Sequence, residues 1–311
     1  MAFSPDGGLL VTLGKLPEGA KGGGSLALWS TGADADLIAA VQLPAAVAAL
    51  AWRAGTEVPT FHTVGSQGLT EWRLEPDALS STAVHLPPQL RGASLTAVAC
   101  SSVAAEGARC HGSSWLHGEG QGAELFLGDC GGRVWRLHVD EEQDCHDPLL
   151  LAELQGQAIT CIQAAGRLCV CGTSGGSLLA LTREGEADAA HGWRMGRCEQ
   201  LDGPLLSLQL HPDGAHWMAA TACGTLWHAG LTAQSSVVLC GQQGAMNSWQ
   251  VAHAGACRGG PPTAAVASAA GVAIWKLVSA GGSCLALTGP PLPCTALHGA
   301  TRRRPACPPA G

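Results

Sequence analysis

The chain of 311 residues has no tyrosine, one asparagine (Asn247) and three lysines against fourteen arginines. That skew reflects a GC-rich coding sequence more than a physical demand. Charge is scarce as well: Asp, Glu, Lys and Arg make up 13% of the chain, with a net charge of −7. An acidic balance repels phosphates at long range and argues against a nucleic-acid partner. The one basic run, Arg302, Arg303 and Arg304, lies in the Pro-rich segment TRRRPACPPAG, which reads as a disordered, solvated tail over 300–311. No apolar run is long enough to span a membrane. The most apolar stretch, Leu37 to Trp52, is broken by Gln42 and Pro44 and reads as two strands joined by a Pro-bearing turn. Met1 runs straight into AFSPDG, so no secretory leader is expected. Fourteen cysteines are scattered without a CxxC pair. A reducing, cytoplasmic setting with free and mostly buried thiols is therefore expected.

What the chain does have is glycine (43 residues) and one unit written six times. Each copy holds a Gly-bearing turn and then a short apolar run ending in Trp. The copies are GGGSLALW to Trp29, GSQGLTEW to Trp72, GDCGGRVW to Trp135, ATACGTLW to Trp227 and SAAGVAIW to Trp275, with GTSGGSLL ending in Leu179. Their ends are separated by 43, 63, 44, 48 and 48 positions. A period in the forties with a turn, a strand and Trp is the signature of a β-propeller. The expectation is an all-β chain of about six blades over residues 1–299, either closing on itself or forming a fragment of a larger propeller array. The 63-residue interval predicts an insertion over about 102–122, and LGKLPEGAKGGG a smaller one in the first blade.

Inner strands are read at AAVAALAW (45–52), LTAVAC (95–100), AITCIQA (158–164), PLLSLQL (204–210) and MNSWQVA (246–252). Their near-continuous apolar character predicts cover on both faces. CTALHG (294–299) would then pair beside LLVTLG to complete the first blade. Trp29, Trp72, Trp135, Trp227 and Trp275 are expected to fill the gaps between blades. Trp52, Trp115, Trp193, Trp217 and Trp249 lie off that register. Trp52, Trp115, Trp193 and Trp217, with Arg53, are the candidate protein-interface residues, because aromatic and arginine side chains dominate interface hot spots.

Sequence patterns for chemistry are weak. Gly172-Thr-Ser174-Gly175-Gly176 matches G-x-S-x-G, but a strand follows it where that nucleophile motif needs a helix, so a hairpin turn is the better reading. Cys110, His111 and His117, or Cys130, Cys145 and His146, lack zinc-ligand spacing. Cys169 and Cys171 would face the same side of one strand. GEGQG (118–122) lacks the Lys and Ser or Thr of a phosphate loop. No catalytic residue, metal or cofactor is assigned, and no small-molecule substrate is evident. Asp129, Asp140, Glu141, Glu142 and Asp144 form the densest acidic stretch, read as a solvated loop or an acidic partner surface.

The SPDG turn, the repeat length and the strand-terminal Trp residues resemble the WD-repeat family across 1–299. The repeats are degenerate: Gln67-Gly68, Cys223-Gly224 and Ala270-Gly271 stand where the family has Asp-Gly. LQGQ (154–157) and LDGP (201–204) resemble its Gly-His junction with the His replaced. FHTVGSQGLTEWRLE (61–75) is similar to propellers of echinoderm microtubule-associated protein-like proteins and of large WD-repeat proteins of cilia, flagella and centrioles. That resemblance implies a non-enzymatic scaffold in a microtubule-based assembly, with partner proteins of a cytoskeletal or axonemal complex and a cytoskeletal, ciliary or flagellar location. Loops near Ser102–Gly122 and Asp140–Asp147 would contribute contacts. The alternative is a propeller that reads a peptide or modified tail at its central channel. A propeller enzyme is the weaker reading, since acidic residues avoid the inner strands.

Overall fold

The computed structural model describes residues 1–14, 23–31, 36–76, 78–101, 123–139, 145–183, 192–210, 216–230, 236–239, 246–252, 263–268, 271–280, 284–288 and 291–292. Side chains of Ala123, residues 145–147, His216 and positions beyond His228 lie outside that description. The insertion at 102–122, CTALHG and the tail at 300–311 also lie outside the described residues.

Short apolar segments bounded by Gly, Pro and polar turns give β-strands throughout, in chain order. The first sheet is β1 (Ala2–Phe3), β2 (Leu9–Gly14), β3 (Gly24–Ser30) and β4 (Leu37–Leu43). The second is β5 (Val47–Arg53), β6 (Thr60–Gly65), β7 (Gly68–Leu74) and β8 (Leu79–Ala83). The third is β9 (Leu95–Ser101), β10 (Ala123–Asp129), β11 (Arg133–Val139) and β12 (Cys145–Glu153). The fourth is β13 (Ile159–Ala165), β14 (Leu168–Thr173), β15 (Ser177–Arg183) and β16 (Trp193–Gln200). The fifth is β17 (Leu205–Leu210), β18 (His216–Thr221), β19 (Leu226–Gly230) and β20 (Ser236–Leu239). A sixth holds β21 (Met246–Ala252), β22 (Thr263–Ser268), β23 (Gly271–Ala280) and β24 (Cys284–Thr288), with β25 (Pro291–Leu292) also on β23.

Each sheet is an antiparallel meander whose strands follow one another in order. First strands pack on first strands from sheet to sheet: β1 on β5, β5 on β9, β9 on β13, β13 on β17 and β17 on β21. Meanders joined along their first strands radiate from a common axis, which is the β-propeller arrangement. Of the inner strands described with side chains, β9 is largely buried as its composition suggested, and the others are covered less fully. β5 is mostly half-exposed and β13 mixed, whereas β6 and β14 are buried at every residue. An inner strand borders the open axis, while the second strand lies between neighbours on every side. Beside β2, Ala2 and Phe3 pair with Val11 and Leu10, so those two positions already have an inner neighbour.

Because successive strands reverse, the connections after first and third strands open on one face, here the upper, and those after second and fourth strands on the lower. The lower hairpins after β6, β10, β14, β18 and β22 are short, whereas β2 and β3 are joined by the longer segment 15–23. Gly65 pairs directly with Gly68, whose φ of 91° suits a two-residue turn. The third to fifth sheets use a longer common turn. Its first residue accepts a backbone hydrogen bond from a left-handed glycine: Asp129 O from Gly132 N–H (3.2 Å), Thr173 O from Gly176 N–H (3.1 Å) and Thr221 O from Gly224 N–H (3.1 Å). Asp129 is no solvated acid of a loop. It is 1% exposed, and its Oδ1 accepts from the N–H groups of Gly131 and Arg133 at 2.9 and 3.0 Å. The turn also docks on the next junction, with Leu154 N–H donating to Gly132 O at 2.8 Å. A Cβ on Gly132 would sit 2.0 Å from Leu154 O, with φ at +88°. Gly132→Ala should therefore destabilise the fold by at least about 1–2 kcal/mol. An unchanged urea midpoint would refute this docking.

The junction residues Gln157 and Asp202 hold the neighbouring turns. Gln157 Oε1 accepts from Thr173 Oγ1 at 2.6 Å. Asp202 accepts from Trp227 Nε1 at 3.0 Å and from the Thr225 hydroxyl. Between sheets the core is apolar: Val11, Leu26, Leu28, Phe61 and Trp72 at the first junction, and Val64, Leu69, Leu95, Val98 and Leu125 at the second.

Candidate functional site

The expected contact residues are mostly inside the molecule. Trp52 is 9% exposed; its Nε1 donates to Ala2 O at 3.0 Å, and its ring lies 5.0 Å from Phe61. Phe61 in turn stacks on Trp72 at 6.0 Å and 5°. Trp217 is 1% exposed, among Leu168, Val170, Leu178 and Leu205. Arg53 lies 3.8 Å from Glu71 with its side chain 11% exposed. Trp52 and Trp217 are thus buried against a neighbouring sheet, and Arg53 is nearly inaccessible. Trp193 is half-buried, edge-on to Phe126 at 5.3 Å and 74°. Trp115 lies outside the described residues, and Trp249 and Trp275 are described only as backbone.

Of the repeated tryptophans, Trp72 and Trp135 are buried, and Trp29 and Trp227 half-buried. Trp72 Nε1 donates to Thr63 Oγ1 at 2.9 Å and Trp29 Nε1 to Thr12 Oγ1 at 3.1 Å. In the first two sheets the Thr-x-Gly before the hairpin therefore supplies the acceptor for the indole that follows it, a role the spacing alone did not reveal. Trp135 lacks such a partner and lies under the Arg133 guanidinium at 5.8 Å.

Two buried polar clusters cross the sheet junctions. In the first, Glu71 faces His62 directly across β6 and β7, with Nε2 to Oε2 at 3.1 Å and both side chains fully buried. Arg73 Nε donates to Glu71 Oε1 at 2.7 Å, and Cys100 of the third sheet places Sγ 3.5 Å from His62 Nδ1. Burial alone would raise the Glu71 carboxyl, but hydrogen bonds from His62 and Arg73, with their charges, overcome it and hold the group at about 2. A thiol, an imidazole and a carboxylate in line have the outline of a nucleophilic triad. Burial pushes the half-buried Cys100 thiol up to about 12, which disfavours the thiolate that such chemistry needs. The cluster fastens the second sheet to the third.

The second cluster centres on Glu124, 0% exposed. Its Oε1 takes Arg136 Nε at 2.8 Å and Arg183 Nη1, from the next sheet, at 3.1 Å. Glu124 Oε2, Ser101 Oγ and Trp193 Nε1 are buried without a partner. Glu124 pairs with Ser101 in register, Ala123 with Val139, Val139 with Cys145 and Arg183 with Trp193. These orphaned groups therefore sit at the upper rim of the third and fourth sheets, where strand ends bracket 102–122, 140–144 and 184–192. Those segments, including Asp140, Glu141, Glu142 and Asp144, are outside the described residues except Gly192. Unpartnered buried polar groups are uncommon enough to single this rim out.

The G-x-S-x-G segment is a hairpin turn between β14 and β15, with Thr173 Oγ1 accepting from Ser177 N–H at 2.9 Å. Among the described residues no group of three His, Cys, Asp or Glu side chains could hold a metal, and no helix is long and apolar enough to cross a membrane. The thiols are less uniformly hidden than their scatter suggested: Cys130, Cys198 and Cys223 are exposed, Cys169 and Cys171 buried. In the folded protein, iodoacetamide should modify Cys130, Cys198 and Cys223, while Cys100, Cys169 and Cys171 wait for unfolding. Peptide mass spectrometry would show it; Cys100 reacting as fast as Cys130 would reopen the case for thiol chemistry.

The class defined by this architecture is the β-propeller. In fold the chain is similar to the solved structure of U3-55K, with a TM-score of 0.61 and 14% identity over 94% of this chain and 80% of that one. It is also similar to Saccharomyces cerevisiae Sqt1, with a TM-score of 0.56 and 14% identity over 86% and 80%. No family model matches the chain. In sequence it is 28% identical over 262 residues to Centriole proteome protein 16 of Chlamydomonas reinhardtii, a match that takes in 78% of this chain but 12% of that protein.

Proposed function

We propose that this chain is a degenerate WD-repeat propeller serving as a non-enzymatic protein-interaction scaffold in a microtubule-based assembly, ciliary, flagellar or centriolar. The carrying observation is the 28% identity to a centriole proteome protein over most of the chain. The six sheets support a six-bladed module, and the disfavoured thiolate of the one triad-like cluster supports a binding role over turnover. The contact region in this reading is the upper rim of the third and fourth sheets, extended by loops near Ser102–Gly122 and Asp140–Asp147. An acidic chain gains nothing from bulk charge against the acidic surface of tubulin, so attachment runs through partner proteins in the cytoplasm. Proximity labelling in a ciliated cell tests it. Axonemal or centriolar neighbours are expected, and recovery of only metabolic enzymes or nuclear factors would leave a scaffold of another assembly.

A further inference from the structure

We infer that β4, the outermost strand of the first sheet, is a self-association edge through which two copies of this chain pair about a twofold axis. The sheet order leaves one edge of β4 unpaired, and open edges are templates for a further strand. The outer strands of the next three sheets carry features that discourage pairing. β8 is five residues, three of them Ser or Thr; β12 contains Asp147, Pro148 and Glu153; β16 contains Arg194, Arg197 and Glu199. β4 reads LIAAVQL, with neither charge nor proline; β20 (SVVL) and β24 (CLALT) share that but are shorter, and β4 differs by its seven residues. Its one irregularity is at Ile38, skipped in the register between Leu37–Trp29 and Ala39–Leu28, and from Ala39 to Leu43 the ladder is regular. Leu37 and Ile38 are 52% and 44% exposed, and Ala40 and Gln42 are exposed too.

The edge demands an extended strand, and its chemistry favours its own copy. It offers no charge for a foreign strand to read, and self-pairing brings no like charges together. With the twofold axis beside Val41, Val41 meets its own copy, Ala40 meets Gln42 and Ala39 meets Leu43. The next pairs outward set Ile38 against the exposed Pro44 and Leu37 against Ala45. Ala39, Val41 and Leu43 lie on the side of the sheet that packs with Val11, Leu26 and Leu28, so an apolar layer would continue across the axis. Such an interface is isologous and closed, giving dimers and not fibres. One strand pair is small beside the roughly 1,600 Å² of a standard interface, so the dimer is weak and concentration-dependent. It does not depend on the cytoskeletal reading above.

Sedimentation velocity of the full chain over roughly a hundredfold range of concentration should show a monomer–dimer equilibrium. The double variants Ala40→Glu with Gln42→Glu, and Ala40→Lys with Gln42→Lys, change only exposed positions and should unfold at wild-type denaturant concentrations. Each alone should remain monomeric where the wild type is dimeric, through like charges facing across the axis, and an equimolar mixture of the two should recover the dimer. A wild type that stays monomeric throughout overturns the proposal. So do variants that dimerise as the wild type does, or a mixture that fails to recover. A monomeric wild type that loses a bound protein in both variants would assign the edge to a foreign strand instead.

Discussion

Glu71→Ala should lower the unfolding free energy by about 3–5 kcal/mol, the usual consequence of removing one member of a buried ion pair. The loss is large because the carboxylate is fully buried and has His62, Arg73 and Arg53 around it, two of which are themselves nearly inaccessible. Arg53 and Arg73 would lose the carboxylate they share, and the buried His62 its hydrogen-bond partner. The same group sets an acid limit. Burial tends to raise its carboxyl, yet the hydrogen bonds from His62 and Arg73 bring it down from 4.5 to about 2. A carboxyl depressed in the folded state contributes fully above the unfolded value and loses that contribution as the proton binds. Stability should therefore fall from pH 4.5 towards 2, and Glu71→Ala should flatten that fall. Parallel pH profiles for variant and wild type would show the cluster to be energetically idle.

Trp217→Ala and Trp72→Ala should each cost about 3–5 kcal/mol, the range for deleting a large buried aromatic. Trp217 is 1% exposed, and Trp72 at 5% stacks on Phe61 and bonds Thr63. Trp29→Ala should cost clearly less. Its ring borders an open groove of about 450 Å³ lined by Leu10, Thr12, Ser30 and Thr31, so part of its surface is already in water. Urea unfolding of the three variants decides the matter; equal midpoint shifts would mean that the first sheet is covered as fully as the others.

The strands were largely legible in advance. Inner strands read at 45–52, 95–100, 158–164, 204–210 and 246–252 fall on β5, β9, β13, β17 and β21. Leu37–Trp52 divides at Pro44 as its turn residue implied. Apolar runs punctuated by glycine carry that information locally. The burial of Trp52 and Trp217 was not legible because a single strand does not show how many of its sides have neighbours. The polar clusters were harder still. His62 and Glu71 are nine positions apart and meet only through register, and Cys100 reaches them from another sheet. The available hint was an ionisable residue in mid-strand, His62 in TFHTVG and Glu71 in GLTEWRL, where an exposed position would be half polar throughout.

The connections between strands differ in how much change they tolerate. Where a hairpin glycine fits against the carbonyl of the following junction, as Gly132 does beneath Leu154, a single added atom has nowhere to go. Length can change where no such contact closes the turn: 102–122 follows a first strand, and the shorter 15–23 follows a second one. Mutation therefore meets permissive connections and prohibited ones. New recognition properties can accumulate on the first by drift in loop length, while the second keeps the blades in step.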